Sequence, residues 1–244
     1  MNGNGNGSIG VIIEARLTSS RLPRKHLLLA NQTTILSTMI RRLKLLDRID
    51  RIILAIPSGL ENNELRSIAE FEKIECYEGS EKNVMHRVLH AAKAFEIDII
   101  CEITGDCPII DLSLVDESLD YFLENEFDYV NNGRTGLPDG MGCQIFRTKT
   151  LEKSFALASS NEHYEHVTLH IRENPEIFST FYLPTKQEYI YPKLRLTLDY
   201  EEDYLLIKNI IEEFTDKNLE FSLADILSFL RKNDFDISSE KNKV

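Results

Sequence analysis

Three short branched apolar runs, at residues 9–13, 51–56 and 98–103, are each followed by polar turn residues. After each turn comes a stretch with apolar side chains at helical spacing, and this alternation sets the fold class. Runs of this kind, apolar on both alternating faces, belong in strands covered on both sides. Strands that alternate with helices imply an α/β chain with a mainly parallel sheet flanked by helices. In residues 34–47 the apolar Ile35, Leu36, Met39, Ile40, Leu43 and Leu46 fall on a helical stripe. Further helices are expected over 61–73, 82–95, 149–159, 162–173, 200–213 and 222–231, and one more, ending near Asn125, is opened by Ser113 and Asp116 as a capping box. Shorter strands are expected at 74–77, 143–146, 178–183 and 194–198. From Asn131 the sequence turns rich in Asn, Gly and Pro, which marks a small excursion from the sheet. Residues 1–8 (MNGNGNGS) are low-complexity and expected to be disordered, and the polar tail 234–244 to fray, which leaves 9–233 as one domain. Their glycines precede the first strand, whereas a dinucleotide fingerprint follows its strand.

The loop after the first run holds Arg16, Arg21, Arg24 and Lys25 in a chain of net charge −12. Cations gathered past a strand's carboxyl end point to an anionic ligand such as a triphosphate, because that crevice is where α/β sheets bind ligands. A solvated basic loop is the alternative. The acidic balance argues against a nucleic-acid partner, which needs positive surface to displace counterions, and against an anionic membrane. No apolar run reaches transmembrane length and no charged-then-apolar leader opens the chain, so a cytoplasmic protein is expected. The cysteines, Cys76, Cys101, Cys107 and Cys143, have no paired or zinc-ribbon spacing and read as free thiols.

Asp106 and Asp199 each follow an expected strand. Two carboxylates at strand ends suit Mg²⁺, which takes few protein ligands and completes its shell with phosphate and water oxygens; capping or turn roles are the alternative for each. Asp139, in Pro138-Asp139-Gly140, reads as a turn residue or a substrate contact. His163, His166 and His170 share one face of the expected helix 162–173, but without the HExxH pattern or a partner set for zinc. A polar helix edge facing a sugar or carboxylate, with Glu165 and Arg172 beside it, fits better. No GxSxG or Cys–His arrangement offers a nucleophile, so positioning and electrostatics are the expected means of catalysis.

Ala15-Arg16-x-x-Ser19-x-Arg21-Leu22-Pro23-x-Lys25 resembles the signature loop of the cytidylyltransferases that make CMP-activated acidic sugars. The CMP-KDO and CMP-acylneuraminate synthetases belong to that group, and the likeness is strongest to its SpsF branch. There the loop occurs with ITGDCPIID at 103–111, Pro-Asp-Gly at 138–140, EHVT at 165–168 and the segment 195–203. The resemblance implies a Rossmann-like nucleotide-diphosphosugar transferase fold and transfer of CMP from CTP to an acidic sugar, with release of pyrophosphate, for a surface polysaccharide. A phosphorylated acceptor giving a CDP-linked product, or a non-catalytic nucleotide-binding protein, are the rival readings. On this likeness Ala15, Arg16, Ser19, Arg21, Lys25, Gly79, Ser80, Arg87 and Asp106 would surround the nucleotide, with Arg16, Lys25, Asp106 and Asp199 catalytic. Asp106 and Asp199 would hold Mg²⁺, and Asp139, Glu165, His166, Arg172 and Arg195 would meet the acceptor. The family's habit of dimerising implies a homodimer through the excursion, 131–146. Two positions depart from the pattern. Arg24 stands where Gly is usual, so the turn is expected to differ, since Arg adopts positive φ at a cost. Glu14 stands where Pro or Gln is usual.

Overall fold

The computed structural model describes residues 7–235. In β1 (Ile9–Glu14) successive side chains turn to opposite faces, so Val11 and Ile13 join one apolar cluster and Ile12 another, all three without exposure. Burial on both faces is what a continuous apolar run encodes. A turn of 3₁₀ helix at Lys25–Leu27 leads into a two-stranded hairpin, β2 (Leu29–Ala30) with β3 (Thr33–Thr34), and then α1 (Ile35–Leu43). Thr34 caps α1, its Oγ1 accepting from Ser37 N at 3.1 Å. Strands and helices then alternate: β4 (Arg51–Pro57), α2 (Asn63–Glu72), β5 (Glu75–Gly79), α3 (Val84–Ala94), β6 (Ile99–Thr104), α4 (Leu112–Glu124). The remainder is β7 (Tyr129–Asn131), β8 (Gln144–Arg147), α5 (Thr148–Leu157), α6 (Asn161–Glu165), α7 (Leu169–Glu173), β9 (Thr180–Tyr182), α8 (Glu201–Phe214) and α9 (Leu223–Lys232).

Seven strands form one sheet in the order β5-β4-β1-β6-β8-β7-β9. The first four are mutually parallel, β8 runs antiparallel to both β6 and β7, and β9 is parallel to β7. Apolar side chains of α1, α2 and α4 cover one face, and those of α3, α5 and α7 cover the other. A third cluster packs α8 and α9 against Leu194, Leu196 and Leu198. The strand order reverses at β1: the chain steps outward to β4 and β5, then returns to lay β6 on the other side. A ligand crevice forms at such a reversal, beyond the carboxyl ends. Here Glu14 and Thr104 end their strands in register, and Gly105 N donates to Glu14 O at 2.9 Å. A Cβ at Gly105 would stand 2.7 Å from that same carbonyl oxygen, so only glycine lets the two loops start this close.

Several expected elements differ from those observed. The cap of α4 is Asp111, whose Oδ1 accepts from Ser113 N and Leu114 N at 2.8 and 3.3 Å; it lies two residues before the expected Ser113, and with Leu114 at the third helical position there is no capping box. The helix expected over 162–173 is broken into α6 and α7, with His166 to Thr168 between them outside helical geometry. Strand β7 has no counterpart in the sequence reading, and residues 194–198 form no strand; Arg195 makes one isolated parallel bridge to Asp139. Ser8, placed in the disordered segment, is paired: its N–H donates to Asp98 Oδ2 at 2.9 Å and its carbonyl accepts from Asp98 N and Ile99 N. Residues 1–6 of that segment and 236–244 of the expected tail lie outside the described residues, while Phe235 N still donates to Leu230 O at 3.0 Å. No helix among the described residues is long and apolar enough to cross a membrane.

Candidate functional site

The loop after β1 reaches across the end of β6. Lys25, almost fully buried, places its Nζ 3.0 Å from Asp106 Oδ2 and 2.9 Å from Asp199 Oδ1. Arg21 Nη2 lies 2.7 Å from the same Asp199 oxygen. Burial pushes the Asp199 carboxyl up, but hydrogen bonds and charge from Lys25 and Arg21 outweigh it and hold the group below its ordinary range. Two aspartates that are 93 positions apart in sequence thus converge on one ammonium group.

Asp199 is delivered there by the segment that fails to be a strand. Leu198 N and Thr197 Oγ1 donate to Asp106 O at 2.8 and 3.2 Å. Asp139 N donates to Leu194 O at 3.0 Å and Leu196 N to Asp139 O at 2.7 Å, so the segment pairs with the 138–140 turn. Gly140 permits this approach: its φ is +94°, and a Cβ would stand 2.5 Å from Leu196 O. Asp203, in the first turn of α8, accepts from Asp199 N and Tyr200 N at 3.0 and 2.9 Å and from Arg195 Nη2 at 3.0 Å. Arg195 Nη1 in turn lies 3.5 Å from Asp139 Oδ2.

A cleft of about 320 Å³ opens beside these charges. Ala15, Arg16, Ser19, Arg21, Lys25, Arg87, Asp106, Glu165 and His166, all singled out in the sequence, line it. Arg16 Nη2 pairs with Glu165 Oε1 at 3.1 Å. Gly79 and Ser80 stand behind Arg87, which donates through Nη1 to Ser80 O. Asp199 joins through Lys25 and Arg21, and Asp139 and Arg195 through Asp203 and the 194–198 segment. Arg172, on α7, is outside the residues that line the cleft. The break between α6 and α7 also separates the three histidines expected on one face. His166 lines the cleft, while His163 and His170 pack edge to face at 5.0 Å, His170 with Nδ1 3.0 Å from Ser154 Oγ.

Six lining residues were not among the candidates: Glu14, Thr18, Ser20, His26, Val84 and Thr104. His26 is buried, and burial together with the Lys25 charge lowers its pKa to about 4, so it is neutral at working pH. Its only sequence mark is its place next to Lys25. Glu14 was visible as a charge closing an apolar run.

Arg24 adopts φ 58°, ψ 25°, the left-handed geometry that favours glycine. Left-handed geometry costs a non-glycine residue about 1–2 kcal/mol, and glycine's extra chain entropy returns part of that on replacement. The exposed Arg24–Glu64 pair opposes the exchange by well under about 1 kcal/mol. Arg24→Gly should therefore leave stability unchanged or raise it by up to about 1 kcal/mol in urea unfolding. A clear loss would show that the Glu64 pair outweighs the backbone.

Among the described residues no group of three or more His, Cys, Asp and Glu forms a metal-holding cluster. A cation at Asp106 and Asp199 would therefore draw its other ligands from phosphate and water oxygens, which suits Mg²⁺. The Lys25 ammonium already marks the point where both carboxylates meet a positive charge.

A family model described as cytidylyltransferase matches residues 10–228. The solved structure of a cytidylyltransferase from Leptospira borgpetersenii serovar Hardjo-bovis is similar at TM-score 0.89 and 32% identity, covering 98% of this chain and 99% of that one. The spore coat polysaccharide biosynthesis protein SpsF of Bacillus subtilis is 26% identical over 229 residues, 91% of this chain and 93% of the relative. The solved structure of CMP:2-keto-3-deoxy-manno-octonic acid synthetase complexed with CTP has the same fold, with TM-score 0.64 at 14% identity, covering 84% of this chain and 99% of that one.

Proposed function

The chain belongs to the cytidylyltransferase family, and from that premise we propose that it moves CMP from CTP to a hydroxyl of a small acidic sugar, releasing pyrophosphate, for a surface polysaccharide. The observation that carries this reading is Lys25 between Asp106 and Asp199, with Arg21 on the same carboxylate. An ammonium has three N–H donors; two meet the aspartates and the third is available to a phosphate oxygen. Arg16 and Arg21 add forked donors suited to phosphate. Together they would hold the triphosphate so that the α-phosphorus faces the acceptor, and would meet the charge that builds on its oxygens during attack. Bound at Asp106 and Asp199, Mg²⁺ would supply further charge neutralisation at the transferring phosphate.

On the acceptor side, Asp139 and Arg195 beside Asp199, and Glu165 with His166 across the cleft, would orient a polyhydroxylated anion. Arg172 remains part of that proposal only at a distance from the cleft. The relation to SpsF supports a role in polysaccharide synthesis. Incubation with CTP, Mg²⁺ and a panel of octulosonate- and nonulosonate-type acids should release pyrophosphate and give a CMP-linked product by mass. Pyrophosphate released only with phosphorylated acceptors, with CDP-linked products, would overturn the acidic-sugar assignment.

A further inference from the structure

A second group of charges lines the same cleft. Glu14 ends β1, and Glu102 lies diagonally from it in β6, two residues before its partner Thr104. Because side chains alternate along a strand, this offset of two puts both carboxyls on the same face of the sheet. Glu14 Oε1 is cut off from water and has no N–H or hydroxyl donor, and two buried carboxyls on one face favour a state in which the pair keeps one proton. A chain of bonds behind them fixes one oxygen of Glu102. Tyr129 Oη and Thr168 Oγ1 both donate to Gln144 Oε1, at 2.6 and 2.5 Å, which turns the amide NH₂ of Gln144 toward Glu102 Oε2, at 2.8 Å. That oxygen of Glu102 is an acceptor, so a proton held by Glu102 belongs on its other oxygen. Burial agrees: it pushes Glu102 well above the ordinary carboxyl range, and raises Glu14 against the opposing pull of Glu102 and Arg87. With the proton on Glu102, Glu14 is left as an acceptor among the residues that line the cleft.

We propose that Glu14 reads the base of the bound nucleotide: its carboxylate accepts a hydrogen bond from the exocyclic amino group of cytosine and so disfavours uracil, which presents a carbonyl there. Glu102 and Gln144 are positioning residues that keep this carboxylate an acceptor. The inference rests on the reading of the cleft as a CTP site. A carboxylate repels phosphate, so the part of the nucleotide beside Glu14 is an uncharged one with N–H groups. The apolar Val84 and Ala15 that also line the cleft suit a flat ring. A ribose hydroxyl can donate or accept, and would gain nothing from a network that fixes the state of its partner; an amino group and a carbonyl are told apart only by such fixing.

The test is the ratio of CTP to UTP in binding titrations with Mg²⁺ and in pyrophosphate release, for the full-length protein and two isosteric variants. In Glu14→Gln the amide can rotate to present either an acceptor or a donor, and the ratio should fall about 10- to 100-fold. Glu102→Gln still offers an N–H toward Glu14 and should hold the ratio. An unchanged ratio in Glu14→Gln, or equal weakening of both nucleotides, would overturn base reading. A collapsed ratio in Glu102→Gln would overturn the positioning role. If the unsubstituted protein binds neither nucleotide, the CTP-site reading fails instead, which is a separate result.

Discussion

Replacing Asp199 with Asn should lower the rate of pyrophosphate release on the order of 10³-fold while shifting the melting temperature by only a few degrees. The amide has the shape of the carboxylate and an oxygen that can still accept from Lys25 and Arg21, at present 2.9 and 2.7 Å away. What it lacks is the charge that balances two cations and that would share a metal with Asp106. The fold therefore keeps its contacts and the chemistry loses its electrostatics. A rate within threefold of the unsubstituted protein would remove Asp199 from the reacting centre. The same variant tests the charge thermodynamically. Because the folded-state pKa of Asp199 is depressed, its contribution to stability is fully present above the unfolded carboxyl value of about 3.9 and is lost as pH falls through the lower folded value. Stability of Asp199→Asn should accordingly depend less steeply on pH on the acid side, as read from melting curves between neutral and strongly acidic buffers.

Arg42→Ala should cost about 3–5 kcal/mol of folding stability, the largest loss expected from a single change away from the cleft. Arg42 has no exposed surface, and its guanidinium donates to the carbonyls of Ile110 and Phe221 at 2.8 and 3.1 Å and to that of Leu219. It also stacks 3.6 Å from the Phe221 ring. Burial lowers its pKa to about 10, still above working pH, so the group stays charged. Truncation strands three carbonyls without donors and opens a void beside Phe221. Urea unfolding reads the effect directly. A loss below about 1 kcal/mol would mean that the carbonyls find other donors. Activity should suffer too, since Ile110 belongs to the turn that carries Asp106.

The parts of the fold held by local pattern were legible from residues alone. β1, β4 and β6 follow from apolar runs, and α1, α8 and α9 from helical stripes. Parts set by tertiary pairing were not. Leu194, Leu196 and Leu198 alternate like a strand, yet their backbone bonds go to Asp139 and to Asp106 O, and their side chains meet α8 and α9. Residues 162–173 carry a helical period, and nothing local marks the break at which His166 turns to the cleft and His170 to Ser154. β7 is three residues long, too short for any period to show. At the site, the cations and both aspartates could be named from sequence because each follows a stretch that reads as a strand, although the one before Asp199 is not one. Glu14 could not be given a role, since its state depends on Glu102 and Gln144, 88 and 130 positions downstream.

Lys25 comes early in the chain and one of its two carboxylates late, 174 positions further on. During synthesis on the ribosome, then, the first β–α units can pack while this ammonium still lacks half its counter-charge. The pair closes only when the segment carrying Asp199 has emerged and docked. A product that stops short of Asp199 would keep β1, β4, β5 and β6 and leave Lys25 with one carboxylate instead of two.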